Sequence, residues 1–182
     1  MKTLKEIKDL AKKFNDKLQP IKVALFDVDG ILTDGKIFWA SEEVGWNRST
    51  HSKDGYALKL LQRGGIKVGI ITGGDSLGVL KRFKENLGVD FLHMGNEYKI
   101  DAFNEVLEKG YMPEEVLYMG DELFDIPILQ QVGFSATVRK ASPEVLAHVD
   151  YISEVNPGEG AVREVVDILR YAKNIHPEGI NY

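Results

Sequence analysis

The stretch Val23-Ala24-Leu25-Phe26-Asp27-Val28-Asp29 constrains this chain more than any other. Its apolar, β-prone residues read as a strand buried on both faces, running from Val23 to about Val28, the kind found in parallel sheets. The run carries two aspartates one residue apart, and Gly30, Thr33 and Asp34-Gly35 follow. Carboxylates are rarely buried unless paired or bound to a metal. Two of them closing such a strand point to a site at the rim of an open α/β sheet, where ligands sit outside the carboxyl ends of strands. The plainer alternative is an Asx-type turn, because Asp and Gly are ordinary turn residues.

The rest of the chain repeats the theme. Strands are predicted at Lys67–Ile71, Val89–Met94, Val116–Met119, Phe134–Val138 and Asp150–Ile152, and helices at Tyr56–Arg63, Leu77–Leu87, Lys99–Lys109, Ile126–Val132, Pro143–Ala147 and Ala161–Ala172. Alternating strands and helices predict a Rossmann-like three-layer α/β/α fold around a parallel sheet. An amphipathic helix over 3–18 precedes the first strand, with Leu4, Ile7, Leu10, Ala11, Phe14 and Leu18 at helical spacing. Residues 1–19 therefore form an N-terminal appendage, 20–174 the main domain and 175–182 an irregular tail. Residues 35–50 break the alternation. They read as a β-hairpin with a polar tip and arms carrying Ile37, Phe38, Trp39 and Trp46. A two-stranded hairpin is marginal alone. Its aromatics need cover from the parent domain or, the favoured reading, from another subunit.

Composition narrows the function. The 182 residues contain no cysteine, which excludes disulfides, thiolate metal sites and cysteine nucleophiles. The net charge of −5 disfavours a nucleic-acid partner. No apolar run reaches membrane-spanning length and no signal-peptide core is visible, so a cytoplasmic protein is expected.

Three strands end in polar residues: Asp27/Asp29, Thr72-Gly73-Gly74 and Gly120-Asp121. Carboxylates converging from two strand ends, without His or Cys nearby, suit Mg²⁺ over zinc. Thr72 and the glycines after it offer a hydroxyl and backbone N–H groups that can cradle phosphate. Lys99, opening a helix, is the best-placed lysine to balance the charge; the alternative is a plain solvated lysine. A carboxylate beside Mg²⁺ and phosphate can attack phosphorus to give an aspartyl-phosphate. A second carboxylate two residues on can then serve as general acid and base.

Asp27-Val28-Asp29-Gly30 with Thr33 resembles the first motif of the haloacid dehalogenase superfamily of phosphatases. Ile70-Ile71-Thr72-Gly73 resembles the second motif, Lys99 the third, and Gly120-Asp121 through Asp125 the fourth. The resemblance implies Asp27 as nucleophile, Asp29 as general acid/base, and Thr72, Gly73 and Lys99 as phosphate ligands. It implies Mg²⁺ held by Asp27, the Asp29 backbone carbonyl and Asp121, with Asp125 in support. Only the hairpin lies between the first two motifs, so the chain is similar to the capless subclass. Asp34-Gly35, Lys53-Asp54-Gly55-Tyr56, Tyr118-Met119-Gly120-Asp121 and Gly158-Glu159-Gly160-Ala161-Val162-Arg163 are similar to the 3-deoxy-D-manno-octulosonate (KDO) 8-phosphate phosphatases within it. That implies hydrolysis of KDO 8-phosphate in lipopolysaccharide precursor synthesis and a homotetramer built through the hairpins. It also implies a neighbouring subunit closing the site and Arg163 near substrate. The alternative for Arg163 is an exposed residue at a helix start. Arg48, Lys53 and Arg163 suit the anionic ends of a sugar acid, and Asp54 joins them as a candidate. Two departures stand out. Glu122 and Phe124 replace the usual Asp and Asn or Pro of the fourth motif, and Lys53 stands where many relatives carry arginine.

Other readings remain open at this level. A nine-carbon sialic-acid-type 9-phosphate would fit the same site. A phospho-receiver-like domain also uses Asp, Mg²⁺, Thr and Lys, but its acidic pair lies on a strand before the phospho-acceptor. A catalytically silent scaffold is the third.

Overall fold

The computed structural model describes residues 2–177. The chain opens with α1 (Leu4–Lys13), whose first turn is closed by a reciprocal pair in which the Glu6 amide bonds Thr3 Oγ1 and the Thr3 amide bonds the Glu6 carboxylate. A short α2 (Asn15–Leu18) follows. The single helix expected over 3–18 is thus broken at Phe14, whose ring turns inward to meet Phe134 and Tyr151 edge-on, with centroids 5.2 and 6.1 Å away. Aromatic packing outweighs helical continuity there.

Strand β1 (Val23–Phe26) is buried along its whole length. It is two residues shorter than expected, because the chain leaves the sheet at Asp27 and loops through Val28–Leu32. The hairpin follows as β2 (Phe38–Ser41) and β3 (Gly45–Asn47), an antiparallel pair separate from the main sheet. Then come α3 (Ser52–Arg63), β4 (Lys67–Thr72) and α4 (Leu77–Val79), which widens into a π-helical segment Leu80–Asn86. Beyond lie β5 (Phe91–Met94), α5 (Lys99–Leu107), β6 (Val116–Met119), α6 (Ile126–Leu129) and β7 (Phe134–Val138). The chain ends with α7 (Pro143–Leu146), β8 (Tyr151–Ser153) and α8 (Ala161–Ala172).

The main sheet has the order β5-β4-β1-β6-β7-β8, and every neighbouring pair is parallel. Helices α1, α3 and α8 pack together in one layer and α5 with α6 in the other, giving the α/β/α sandwich. Ile7, Ala11 and Leu18 of the N-terminal helices are buried in the same core as the sheet. On α8, Val162, Val165, Val166, Ile168 and Leu169 all face inward. Fully burying each such side chain contributes about 1.5–3 kcal/mol.

The strand order places the site. From β1 the chain builds outward through β4 and β5, then returns to build β6, β7 and β8 on the other flank. The order reverses at β1, and ligands occupy the crevice outside such a switch point. Phe26 pairs with Ile70 of β4 and Met119 of β6, so β1 and β6 end level while β4 runs two residues further, to Thr72.

Candidate active site

Asp27 follows β1 directly, and its amide bonds the Met119 carbonyl across the β1–β6 border at 2.9 Å. Asp121 follows β6, and Asp125 sits on the turn after it. Oxygen atoms from these three carboxylates lie within 4.8 Å of one another. Lys99, the first residue of α5, reaches in from the side. Its ammonium lies 2.8 Å from Oδ1 of Asp27 and 2.8 Å from Oδ1 of Asp125, and all three side chains are almost wholly buried. Lys99 is therefore no solvated lysine.

Asp125 is fully occupied. Oδ1 accepts from Lys99 and from the Tyr118 hydroxyl (2.6 Å), and Oδ2 accepts from the amides of Asp121 and Glu122 at 3.0 Å each. It holds Lys99 and the Asp121 turn in place. This fold-back is possible because residue 120 is glycine: the Asp125 carboxylate fills the space a Cβ would take. The same device recurs at Gly30, which combines a φ of +86° with the Asp121 carboxylate packed where its Cβ would be.

The electrostatics are those of a site short of positive charge. Burial pushes the Asp27 carboxyl up to about 7; Lys99 opposes this and the Asp125 charge adds to it. Burial, then the charges of Asp27 and Asp125, push Asp121 up to about 8. Burial disfavours the Lys99 ammonium, but Asp27 and Asp125 outweigh it and raise its pKa. Burial and the Asp125 charge hold the Tyr118 phenol well above its ordinary range. One cation faces three carboxylates, and Oδ1 of Asp121 is buried with no hydrogen-bond partner among the described residues. An orphaned, oxygen-only donor set with excess negative charge fits a hard divalent cation. Asp27 and Asp121 have oxygens free to bind it; Asp125 does not.

Thr72 closes β4 and is buried. Its Oγ1 accepts from the Gly74 amide at 3.2 Å, which leaves the hydroxyl proton for another acceptor. Gly73 packs against Glu97, with 3.3 Å between an added Cβ and Glu97 Cγ. Asp29 takes a different direction from Asp27. Arg48 grips it with both arms, Nε to Oδ1 at 2.7 Å and Nη2 to Oδ2 at 2.9 Å, and Arg48 Nη1 donates to Ser76 Oγ at 2.7 Å. The Asp29 side chain is therefore not part of the carboxylate cluster.

Comparison with known proteins follows the same lines. The family model for haloacid dehalogenase-like hydrolases matches residues 91–165. The chain is 38% identical over 160 residues to the 3-deoxy-D-manno-octulosonate 8-phosphate phosphatase KdsC of Escherichia coli, an alignment covering 86% of this chain and 83% of that one. The chain belongs to the KDO 8-phosphate phosphatase family of haloacid dehalogenase-like hydrolases. A family member from Moraxella catarrhalis, crystallised with magnesium ion, phosphate ion and a KDO molecule, superposes with a TM-score of 0.84 at 34% identity over 90% of this chain and 93% of that one. A cobalt-bound member from Haemophilus influenzae gives 0.80 at 33% identity over 87% and 92%.

Within this family the two departures in the fourth motif acquire local explanations. Phe124 lies under Lys99, with the ammonium 4.4 Å from the ring centroid, an arrangement that stabilises a buried cation. Glu122 turns away from the cluster, accepting from the Leu123 amide at 2.7 Å and from Ser142 Oγ at 2.9 Å.

The candidate substrate residues fare unevenly. Arg48 is at the site, on Asp29. Lys53 is exposed in the first turn of α3. Asp54 is fully buried, and it accepts from the amides of Arg163 (2.7 Å) and Gly160 (3.2 Å). It caps α8 from a neighbouring helix, where a carboxylate satisfies otherwise orphaned N–H groups. Arg163 is tied to Asp167, Nε to Oδ1 at 2.9 Å, one turn along α8. Two contributors lay outside the sequence reading of the site. Tyr118 was quoted there only as part of the Tyr118-Met119-Gly120-Asp121 segment, with no role given to its hydroxyl, and Ser76 carried no signal.

Proposed function

We propose that this chain is a Mg²⁺-dependent phosphomonoester hydrolase that converts KDO 8-phosphate to KDO and phosphate. The observation that carries the reaction class is Lys99 held between Asp27 and Asp125, beside the unpartnered Asp121 oxygen. The substrate assignment is supported by kinship with KDO 8-phosphate phosphatases along most of the chain.

In this reading an Asp27 oxygen attacks phosphorus while the bond to the sugar oxygen breaks. Asp29 gives its proton to that leaving oxygen. Asp29 then takes a proton from water, whose oxygen attacks the phosphorus and releases Asp27 and inorganic phosphate. Thr72, the Gly73 amide and Lys99 hold the phosphoryl oxygens through both steps. Magnesium, held by Asp27, the Asp29 carbonyl and Asp121, supplies positive charge against the phosphoryl oxygens. Asp125 and Tyr118 position Lys99.

Assembly belongs to the same proposal. Trp39 and Trp46 face each other across the hairpin, ring centroids 5.6 Å apart, and stay 51% and 53% exposed. Ile37 and Phe38 are exposed as well, and a homotetramer would cover this apolar hairpin surface. A division into an N-terminal helix (1–19), a catalytic unit (20–174) and a tail (175–182), and a cytoplasmic setting, complete it. Residues 178–182 of that tail lie outside the described residues. Among the described residues, no helix is long and apolar enough to cross a membrane.

The test is phosphate release from KDO 8-phosphate, a nine-carbon sialic-acid-type 9-phosphate and glucose 6-phosphate, with and without Mg²⁺. Preference for the nine-carbon acid moves the substrate without disturbing the mechanism. A stable phosphoprotein without turnover would instead favour a receiver-like role.

A further inference from the structure

Arg48 occupies an unusual place for a residue that recognises substrate. It follows β3 of the hairpin, yet its guanidinium spends all three nitrogens inside the protein, two on Asp29 and one on Ser76. Its side chain is 7% exposed and that of Asp29 34%. The pair lies against the cradle after β4: a Cβ on Gly74 would sit 2.9 Å from Arg48 Nη2 and 3.5 Å from Asp29 Oδ2. Both oxygens of Asp29 accept N–H groups, so neither is free to exchange a proton with a leaving group while the pair is closed. The residue needed for proton transfer is held by a residue suited to binding anions.

We infer that Arg48 is a substrate-displaced latch on Asp29, so that turnover depends on a carboxylate remote from the phosphate being hydrolysed. This rests on the phosphatase reading and deepens it. The Nε/Nη2 edge that Asp29 occupies binds one carboxylate bidentately at a time, and Ser76 already holds Nη1 of the other edge. A sugar acid carries its carboxylate several bonds from the phosphoryl group. With the phosphate in the Thr72–Gly73 cradle, that carboxylate lies beyond Asp29, and an Arg48 that turns to meet it leaves Asp29. The exchange swaps one fork–carboxylate pair for another, which keeps its energetic cost low. A phosphate monoester with no carboxylate offers nothing in return and leaves the latch closed. The hairpin position suits the task, because a side chain on a two-stranded ribbon can swing without disturbing the main sheet.

The experiment compares KDO 8-phosphate with p-nitrophenyl phosphate in the wild type, Arg48→Ala and Ser76→Ala, with circular dichroism confirming that each is folded. For Arg48→Ala, kcat on p-nitrophenyl phosphate rises about tenfold, while KM for KDO 8-phosphate rises about tenfold or more. Ser76→Ala removes one anchor of the latch without touching Asp29, and gives a smaller rise on p-nitrophenyl phosphate. Loss of activity on both substrates in Arg48→Ala, with no rise in Ser76→Ala, would mean that Arg48 merely orients Asp29, and overturns the latch. If the wild type hydrolyses neither substrate, the phosphatase reading falls and the latch with it; in the former case the latch falls alone.

Discussion

The Asp121 carboxylate occupies the space that a Cβ on Gly30 would need. Gly30 also has a φ of +86°, a region that side-chain-bearing residues rarely adopt. One glycine thus lets the loop after β1 turn and lets the β6 carboxylate approach it. Gly30→Ala is expected to displace Asp121 and weaken Mg²⁺ binding about tenfold or more, with a stability loss of about 1 kcal/mol or more. Isothermal titration with Mg²⁺ and thermal melting read the two effects separately.

Asp27→Asn removes the proposed nucleophile but keeps its shape. Turnover is expected to fall by about 10³-fold or more. The metal-free protein should remain folded and melt no lower than the wild type, because the amide removes a buried charge next to Asp121 while Lys99 keeps Asp125. Wild-type activity in this variant would refute the nucleophile assignment.

The acidic cluster links metal binding to pH. Both Asp27 and Asp121 have folded pKa values above the ordinary 3.8, at about 7 and about 8. Between about pH 4 and 8 the metal-free folded protein binds more protons than the unfolded chain, so its stability falls as pH rises through that window. A divalent cation displaces those protons, so apparent Mg²⁺ affinity increases as pH rises through the same upper range. The Mg²⁺-induced rise in Tm should be larger near about pH 8.5 than near about pH 6. An equal rise at both would mean that the carboxyls are already ionised at the lower pH.

Tyr118 and Asp125 test how Lys99 is held. Tyr118→Phe deletes one donor to Asp125 and is expected to cost about 1 kcal/mol with a modest loss of kcat. Asp125→Ala strands the Asp121 and Glu122 amides and leaves Lys99 with Asp27 alone; its expected cost is about 3–5 kcal/mol. Urea unfolding of the two variants should reproduce that order.

The hairpin face predicts an assembly. Replacing Trp39 and Trp46 together by serine should convert the proposed tetramer to smaller species without unfolding the main sheet. Light scattering after size exclusion gives the mass directly, and an unchanged mass would place the interface elsewhere.

Much of this site was legible along the chain because its parts sit at strand ends, and strand ends are marked by an abrupt change from apolar to polar residues. Asp27, Thr72 and Asp121 follow from that change alone. Lys99 has no such mark: a lysine opening a helix is ordinary until Asp27 and Asp125 are seen against it. Asp54 shows the converse. A carboxylate in a conspicuous motif suggested substrate contact, but its partners are two amides more than a hundred residues away.

The alternation of buried strands and amphipathic helices determined the layered fold by itself, since period and burial are local properties of sequence. The metal-type chemistry was determined the same way, because a chain without cysteine and with aspartates at its strand ends can offer a cation at that rim little but oxygen. How the oxygens of these carboxylates are engaged was decided only in three dimensions: those of Asp125 are spent on Lys99, Tyr118 and two amides, those of Asp29 on Arg48, and Oδ1 of Asp121 is left without a partner among the described residues. Asp27, Asp29, Asp121 and Asp125 are the same residue type at similar turns, and their roles separate through neighbours brought by other elements: Lys99 from α5, Tyr118 from β6 and Arg48 from the hairpin. Hydrogen-bond capacity is finite, and only the fold determines how each oxygen uses it.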